Sequence, residues 1–177
     1  DPLEFRKNHL GGERYRAVLE MLEEKTNWKT RRKNDGWGIA ITECFKSIVG
    51  EAVKVSKNKE GKLKIDKAIA VMDCGWYVNP DIIRAQVEGS IIMALGAAVT
   101  HETHFADGKA VENNFHQYKL PRMGDIGEIE VHIMENDEKA GGVGEPGLPP
   151  FAPALCNAIF NLTGKRIRKL PFNIAEI

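Results

Sequence analysis

The chain has 177 residues, with 25 Lys plus Arg balanced against 25 Asp plus Glu, and 42% of its residues are apolar. A formal net charge of zero removes the long-range attraction that a nucleic acid or an acidic membrane surface would exert, and the sequence holds no run of eighteen apolar residues of the kind that spans a bilayer. Three cysteines, Cys44, Cys74 and Cys156, with no Cys-x-x-Cys spacing, argue against a disulfide framework, a zinc site or an iron–sulfur cluster built within these residues.

Asp1 to about Trp28 reads as helical, with Tyr15, Val18, Leu19 and Leu22 forming an amphipathic stripe. Thr30 to Asp35 is polar and basic, so residues 1–35 are expected to be an N-terminal helix and linker, with a domain over 36–177. The chain begins at Asp1, inside a helical pattern, which leads us to expect a portion of a longer polypeptide and leaves the compartment open.

From Trp37 the pattern becomes extended. Val49, Glu51, Val53 and Val55 alternate against Ile48, Gly50, Ala52 and Lys54, and Asn58-Lys59-Glu60-Gly61 has turn chemistry. Leu63, Ile65, Ile69 and Val71 share one parity, interrupted by Lys67, which predicts an antiparallel hairpin. Asn79-Pro80-Asp81 then opens a helix over about 80–99: Asn is a good N-cap, Pro suits the first helical position, and Asp complements the positive helix end. One face of it carries Ile83, Val87, Ile91, Ala94 and Ala98. Gln86, Gly89, Ser90, Met93 and Ala97 lie on a neighbouring face that is small-sided, with one amide projecting from it.

His101 to Glu112 straddles Asp107-Gly108, a strong hairpin signal. Ile129, Val131 and Ile133 alternate with Glu130, His132 and Met134, as in a half-buried strand. Phe151, Leu155, Ile159 and Leu162 predict a helix over about 149–163 that stops at Gly164. Cys156 lies near its apolar face, as a small core residue. Arg166 to Phe172 reads as a short strand, and the basic residues Lys165, Arg166, Arg168 and Lys169 beside it as a solvated edge. The order of elements is that of an α+β fold with a mixed or antiparallel sheet and packed helices.

The stretch Gly141-Gly142-Val143-Gly144-Glu145-Pro146-Gly147-Leu148-Pro149-Pro150 holds four glycines and three prolines around one carboxylate. No packed helix or central strand tolerates that composition. Pro146 biases Glu145 toward an extended backbone, and Pro149 and Pro150 suit the first turn of the helix that follows. Glu145 is therefore expected on a stiff loop feeding a helix N-terminus, beside glycines that admit something bulky. The bland alternative is a plain turn with a solvated Glu.

Gly-Val-Gly-Glu-Pro-Gly followed by an alanine-rich apolar helix resembles the C-terminal signature of the molybdenum hydroxylases, the xanthine dehydrogenase and aldehyde oxidase family, and within it the isoquinoline 1-oxidoreductase-like large subunits. The run Asn79-Pro80 to Gln86-Val87-Glu88-Gly89 is similar to that family's Asn-Pro…Gln-x-Glu-Gly segment, and Asp-Pro-Leu-Glu-Phe-Arg at the start resembles another recurring stretch. The resemblance implies the fold of the C-terminal molybdenum cofactor-binding domain. It also implies hydroxylation of an N-heterocycle or aldehyde with water as the oxygen source. Glu145 would be the general base, Gln86 would hydrogen-bond the pterin of the molybdenum cofactor, and Gly142, Val143 and Gly144 would bring backbone toward the cofactor. No residue of this chain is implied as a direct metal ligand. Iron–sulfur clusters would lie on a partner chain or region, a small iron–sulfur subunit, and the rest of the large subunit would complete the pocket. Isolated, these residues would be inactive.

A second reading is a non-catalytic α+β interaction module that keeps the fold alone; an intact Glu145 within the glycine loop favours the first. His101 and His104 are spaced three apart with no third ligand suggested. His116, Tyr118 and Arg122 fall in a segment that resembles one leading toward the family's active-site side, although a surface loop suits Tyr118 and Arg122 better.

Overall fold

The computed structural model of the chain describes residues 1–177. Its centre is a four-stranded sheet in the order β1 (Trp37–Cys44), β2 (Ser47–Lys57), β3 (Leu63–Asp73) and β4 (Glu128–Ile133). The first three strands form an antiparallel meander, and β4 joins β3 in parallel. Helices α1 (Pro2–His9) and α2 (Glu13–Thr26) cover one face; α3 (Pro80–Val99) and α4 (Phe151–Thr163) cover the other. This is an α+β fold with a mixed sheet, as the element order predicts.

Two apolar cores follow from the alternation along the strands. The larger, under α3 and α4, takes Val49, Val53 and Val55 from β2 and Ala68, Ala70 and Met72 from β3, with Ile83, Val87 and Ile91 of α3 and Phe151, Leu155 and Ile159 of α4. The smaller, under α1 and α2, takes Ile48 and Ala52, then Ile69 and Val71, with Val18, Leu19 and Leu22. The α4 layer sits close because Gly38 has no side chain: a Cβ there would overlap the backbone of Ala154 and Ala158.

The helix α3 spans the predicted 80–99, with the Asn79 side chain accepting from the N–H groups of Asp81 and Ile82. By length and mean hydropathy (20 residues, 1.5) it meets the criteria for a membrane-crossing helix. Here one face of it packs into the larger core, while Asp81, Arg84 and Glu88 are exposed on the other side, the distribution of an amphipathic core helix. The Asp107-Gly108 turn, both residues at positive φ, joins the short strands Phe105–Ala106 and Lys109–Ala110.

Three local expectations are corrected. The helical stretch over 1–28 is two helices, interrupted at Leu10-Gly11-Gly12, followed by a 3-10 turn at Trp28–Thr30. Leu63, Ile65, Ile69 and Val71 do not share a face: the register skips Asp66 between the pairs Lys54–Lys67 and Val55–Ile65. This bulge turns Ile65 into the larger core while Ile69 and Val71 stay in the smaller. No strand forms over 166–172. That segment leaves α4 at Gly164 and crosses the end of α3, where the Phe172 N–H donates to Ala98 O at 2.9 Å, so its backbone bonds to a helix end in place of a strand.

One core residue breaks the apolar pattern. Glu51, between Val49 and Val53 on β2, is 0% exposed, and neither carboxylate oxygen has a hydrogen-bond partner. Burial pushes its carboxyl well above the usual 4.5, favouring the neutral acid over the carboxylate. Because the folded value is raised, the stability attached to this group is full below pH about 4.5 and is lost as pH rises toward the folded value. Glu51→Leu is expected to stabilise the protein at neutral pH by about 1–3 kcal/mol and to flatten the decline of stability between pH 5 and 8. Denaturant titrations of both proteins across that range measure this; an unchanged slope would contradict it.

Candidate functional site

The glycine loop is pinned at several points. At its start, the Gly141 N–H donates to Cys74 O at 2.8 Å, beside a further bond from the Trp76 N–H to Glu138 O at 2.8 Å. These extend the β3–β4 pairing past the ends of the strands. Gly142 is held on both backbone groups by the β1–β2 turn: its N–H donates to Phe45 O at 2.8 Å, and its carbonyl accepts from Ser47 Oγ at 2.6 Å. At the far end, Gly147 lies against α3, where an added Cβ would stand 3.2 Å from both Ser90 Cβ and Val87 Cγ1. Pro146 and Pro150 are buried, and the Leu148 N–H closes a turn onto Glu145 O at 3.0 Å.

Between these anchors the loop faces outward. Val143 is half-buried against the larger core, whereas Gly144 and Glu145 are exposed. The Glu145 carboxylate forms no ion pair within the chain. Its charge is felt by the half-buried Cys44 at the end of β1, whose thiol is pushed up by burial first and by Glu145 second. Gln86 is exposed on α3, one turn before Ser90, whose Oγ donates to Gln86 O at 2.8 Å. The turn of α3 that presents Gln86 is thus the one touching Gly147.

The predicted site residues therefore converge on one end of the fold, but they are not equivalent. Gly142 spends both backbone groups on the β1–β2 turn. Gly144 makes no backbone hydrogen bond, and a Cβ on it, or on Gly89 of α3, would meet nothing within 4 Å. A carboxylate, an amide and open glycine backbone suit a flat polar organic group held by hydrogen bonds and close approach. No three His, Cys, Asp or Glu side chains of this chain come together to hold a metal directly. His101 stacks on Tyr118 at 4.6 Å and His104 pairs with Glu112 at 2.7 Å, both on the arm after α3. Arg122 bonds its backbone N–H to Asp125 at 2.7 Å.

The sequence reading missed the turn Phe45–Ser47. It carries no Gly, Asn or Pro, although Phe45 and Lys46 both adopt positive φ, 53° and 66°. It also missed the foundation of the loop, Asp73 at the end of β3. This carboxylate is 1% exposed. It accepts from Arg14 Nε and Nη2, both at 2.8 Å, from the Gly75 N–H at 3.0 Å and from Asn136 Nδ2 at 3.0 Å. Burial alone would raise its pKa, but these donors outweigh burial and hold it below the usual 3.8.

Comparison with known proteins adds a second line of argument. Residues 51–127 match the family model described as "Molybdopterin cofactor-binding domain". Isoquinoline 1-oxidoreductase subunit beta of Brevundimonas diminuta is 34% identical over 99% of this chain and 23% of its own length. The aldehyde oxidoreductase molybdenum-binding subunit PaoC of Escherichia coli K12 is 33% identical over 74% of this chain and 19% of its own length. Among solved structures, quinoline 2-oxidoreductase from Pseudomonas putida 86 superimposes with a TM-score of 0.61 at 25% identity, over 72% of this chain and 18% of that one. The chain spans about a quarter or less of the length of the relatives it matches.

Removing the Arg14 fork leaves a buried carboxylate short of two charge-assisted bonds. Arg14→Ala is expected to cost about 2–4 kcal/mol, measured by denaturant unfolding. The folded pKa of Asp73 is depressed, so its contribution is present above pH about 3.8 and is lost as pH falls through the folded value. The gap between wild type and Arg14→Ala should therefore be full at neutral pH and narrow on acidification, as Asp73 becomes protonated first in the variant and then in the wild type. A gap that instead grew on acidification would show that Arg14 acts through something other than Asp73.

Proposed function

The chain belongs to the molybdopterin-binding xanthine dehydrogenase family, and from that premise we propose that it forms one wall of a molybdenum–pterin site in which Glu145 is the general base. The observation that carries this reading is the state of Glu145: exposed, unpaired, and set on a loop fastened on both sides of it. A base has to be available to its reaction partner yet held in place. Both conditions are met here, and a solvated turn has no use for the second.

When bound, the cofactor supplies the redox centre that takes up the electrons leaving the substrate carbon. The rest falls to residues of this chain. The Gln86 amide, able to donate and to accept, binds a pterin edge. Gly144 offers an uncommitted N–H and room for close approach, while Gly142 and Val143 hold the stretch behind it. Glu145 accepts, at a carboxylate oxygen, the proton released by the water-derived oxygen that is transferred. Substrates of this site are an aldehyde or an N-heterocycle, the classes in the names of the relatives.

The remaining walls come from the rest of a larger subunit, with iron–sulfur clusters on a partner chain or region. Exposed apolar groups suit such covering: Ile82 and Met93 on the outer face of α3, and Phe115, Leu120 and Met123 on the arm after it. One wall retains few of a ligand's contacts, so these 177 residues alone should not bind the cofactor tightly or turn over substrate.

Two substitutions in the intact, molybdenum-loaded subunit test the assignment. Glu145→Gln keeps size and removes the base; turnover per molybdenum should fall by at least about 10²–10⁴-fold with metal content maintained. Gln86→Ala should instead lower molybdenum content, with turnover per bound molybdenum much less affected. Metal analysis and steady-state rates on the same preparations separate the two effects. Near-normal turnover per molybdenum in Glu145→Gln would return the glycine loop to an ordinary turn.

A further inference from the structure

We propose that Ser47 is a positioning residue for Glu145, acting through the glycine loop; this rests on the general-base reading above. The β1–β2 turn is a short connection whose outward-facing central residues, Phe45 and Lys46, are exposed. Both nevertheless sit in the left-handed region at φ 53° and 66°, which costs a residue with a Cβ about 1–2 kcal/mol. A two-residue hairpin, with Cys44 paired to Ser47, requires positive φ at both of its central positions.

The turn set in this way holds Gly142. The Phe45 carbonyl, aimed by the left-handed turn, accepts the Gly142 N–H at 2.8 Å. The Ser47 hydroxyl, on a residue that is fully buried, donates to the Gly142 carbonyl at 2.6 Å. A single peptide segment is thereby gripped from both sides by one turn, three residues before Glu145. The fit around it is tight: a Cβ on Gly142 would lie 2.7 Å from Phe45 Cβ, and a Cβ on Gly141 would overlap Ser47 Oγ and stand 3.0 Å from the Lys46 carbonyl.

Downstream, Glu145 is followed by buried Pro146 and by Gly147 against α3. The Gly142 clamp and the Pro146–Gly147 seat are the two ends of a short span whose middle carries the carboxylate. Losing the hydroxyl loosens the first end, which is left with the Gly141 and Gly142 N–H bonds, and leaves the second intact. Glu145 stays attached and exposed but ranges more widely, and a displacement of about 1 Å in a reacting group can cost on the order of 10²-fold in rate.

The test uses the intact, molybdenum-loaded subunit and compares Ser47→Ala, which removes the donor, with Ser47→Thr, which keeps it. Ser47→Ala is expected to lower kcat per molybdenum about tenfold or more while KM and molybdenum content change less than about twofold. It should also speed amide hydrogen exchange in a peptide covering 141–148 relative to one covering α4, an observable independent of turnover. Ser47→Thr should restore both to within about threefold. Should Ser47→Ala fail to fold, Gly141→Ala, which pushes the same contact apart without removing the hydroxyl, is expected to show the same pattern.

Glu145→Gln is measured alongside. If it loses turnover while Ser47→Ala keeps full turnover per molybdenum or unchanged exchange over 141–148, the positioning role is overturned and the base assignment stands. If Glu145→Gln itself keeps turnover, the base reading fails and the positioning role with it. A fall in molybdenum content and thermal stability without a change in kcat per molybdenum would mean that Ser47 is structural only.

Discussion

A single buried carboxylate holds the functional end of this fold together. Asp73 ends β3 at 1% exposure, where a charge survives only if donors replace the water it has lost. The donors come from three places that are remote in sequence: Arg14 on α2, the Gly75 N–H just past the strand, and Asn136 just past β4. Satisfying Asp73 therefore fixes α2, the β3–α3 connection and the approach to the glycine loop relative to one another. The next step along the chain, Cys74 O, receives the Gly141 N–H. Glu51, on the neighbouring strand and the sheet's other face, shows the contrary outcome: buried without a single donor, its carboxyl is pushed well above the usual range.

The loop illustrates a division of labour that composition alone does not show. Its glycines are often read together as a region of freedom, yet each does something different. Gly141 and Gly142 are small because another segment presses on them; Gly147 is small because α3 does. Gly144 alone among these opens toward unfilled space. Flexibility is thus absent at most of the glycines, and their contribution is close approach.

Much of this architecture is legible in the residues, and the misses have physical causes. Helix α3 announces itself because Asn79-Pro80-Asp81 is a complete local start signal, and Asp107-Gly108 because its turn needs positive φ at both positions. The glycine loop and Glu145 stand out because their composition suits nothing else. The Phe45-Lys46 turn is invisible because its positive-φ residues have side chains, without the Gly or Asn that usually marks a two-residue hairpin. The bulge at Asp66 hides because Leu63, Ile65, Ile69 and Val71 keep one parity on both sides of it, with only Lys67 out of pattern. The 166–172 segment has strand composition but docks on the end of α3, a long-range contact that its residues do not announce. Asp73 and Ser47 look ordinary in sequence because their importance is entirely in long-range contacts.

The parallel pairing of β3 with β4 also ranks the steps by which such a chain can come together. The meander β1–β2–β3 closes through short turns, and α2 packs on it from the adjacent sequence. Joining β4 to β3 instead requires everything from Cys74 to Gly127, including α3 and its arm, to be looped out first, and loop-closure entropy rises with that length. Non-local pairings of this kind form slowly because their entropic cost precedes their reward. The glycine loop inherits that lateness twice over. It needs β4 in place to bring Gly141 against Cys74, and it needs the β1–β2 turn already built to receive Gly142. On these grounds the segment carrying the carboxylate docks after β4 and after the β1–β2 turn, onto surfaces already built.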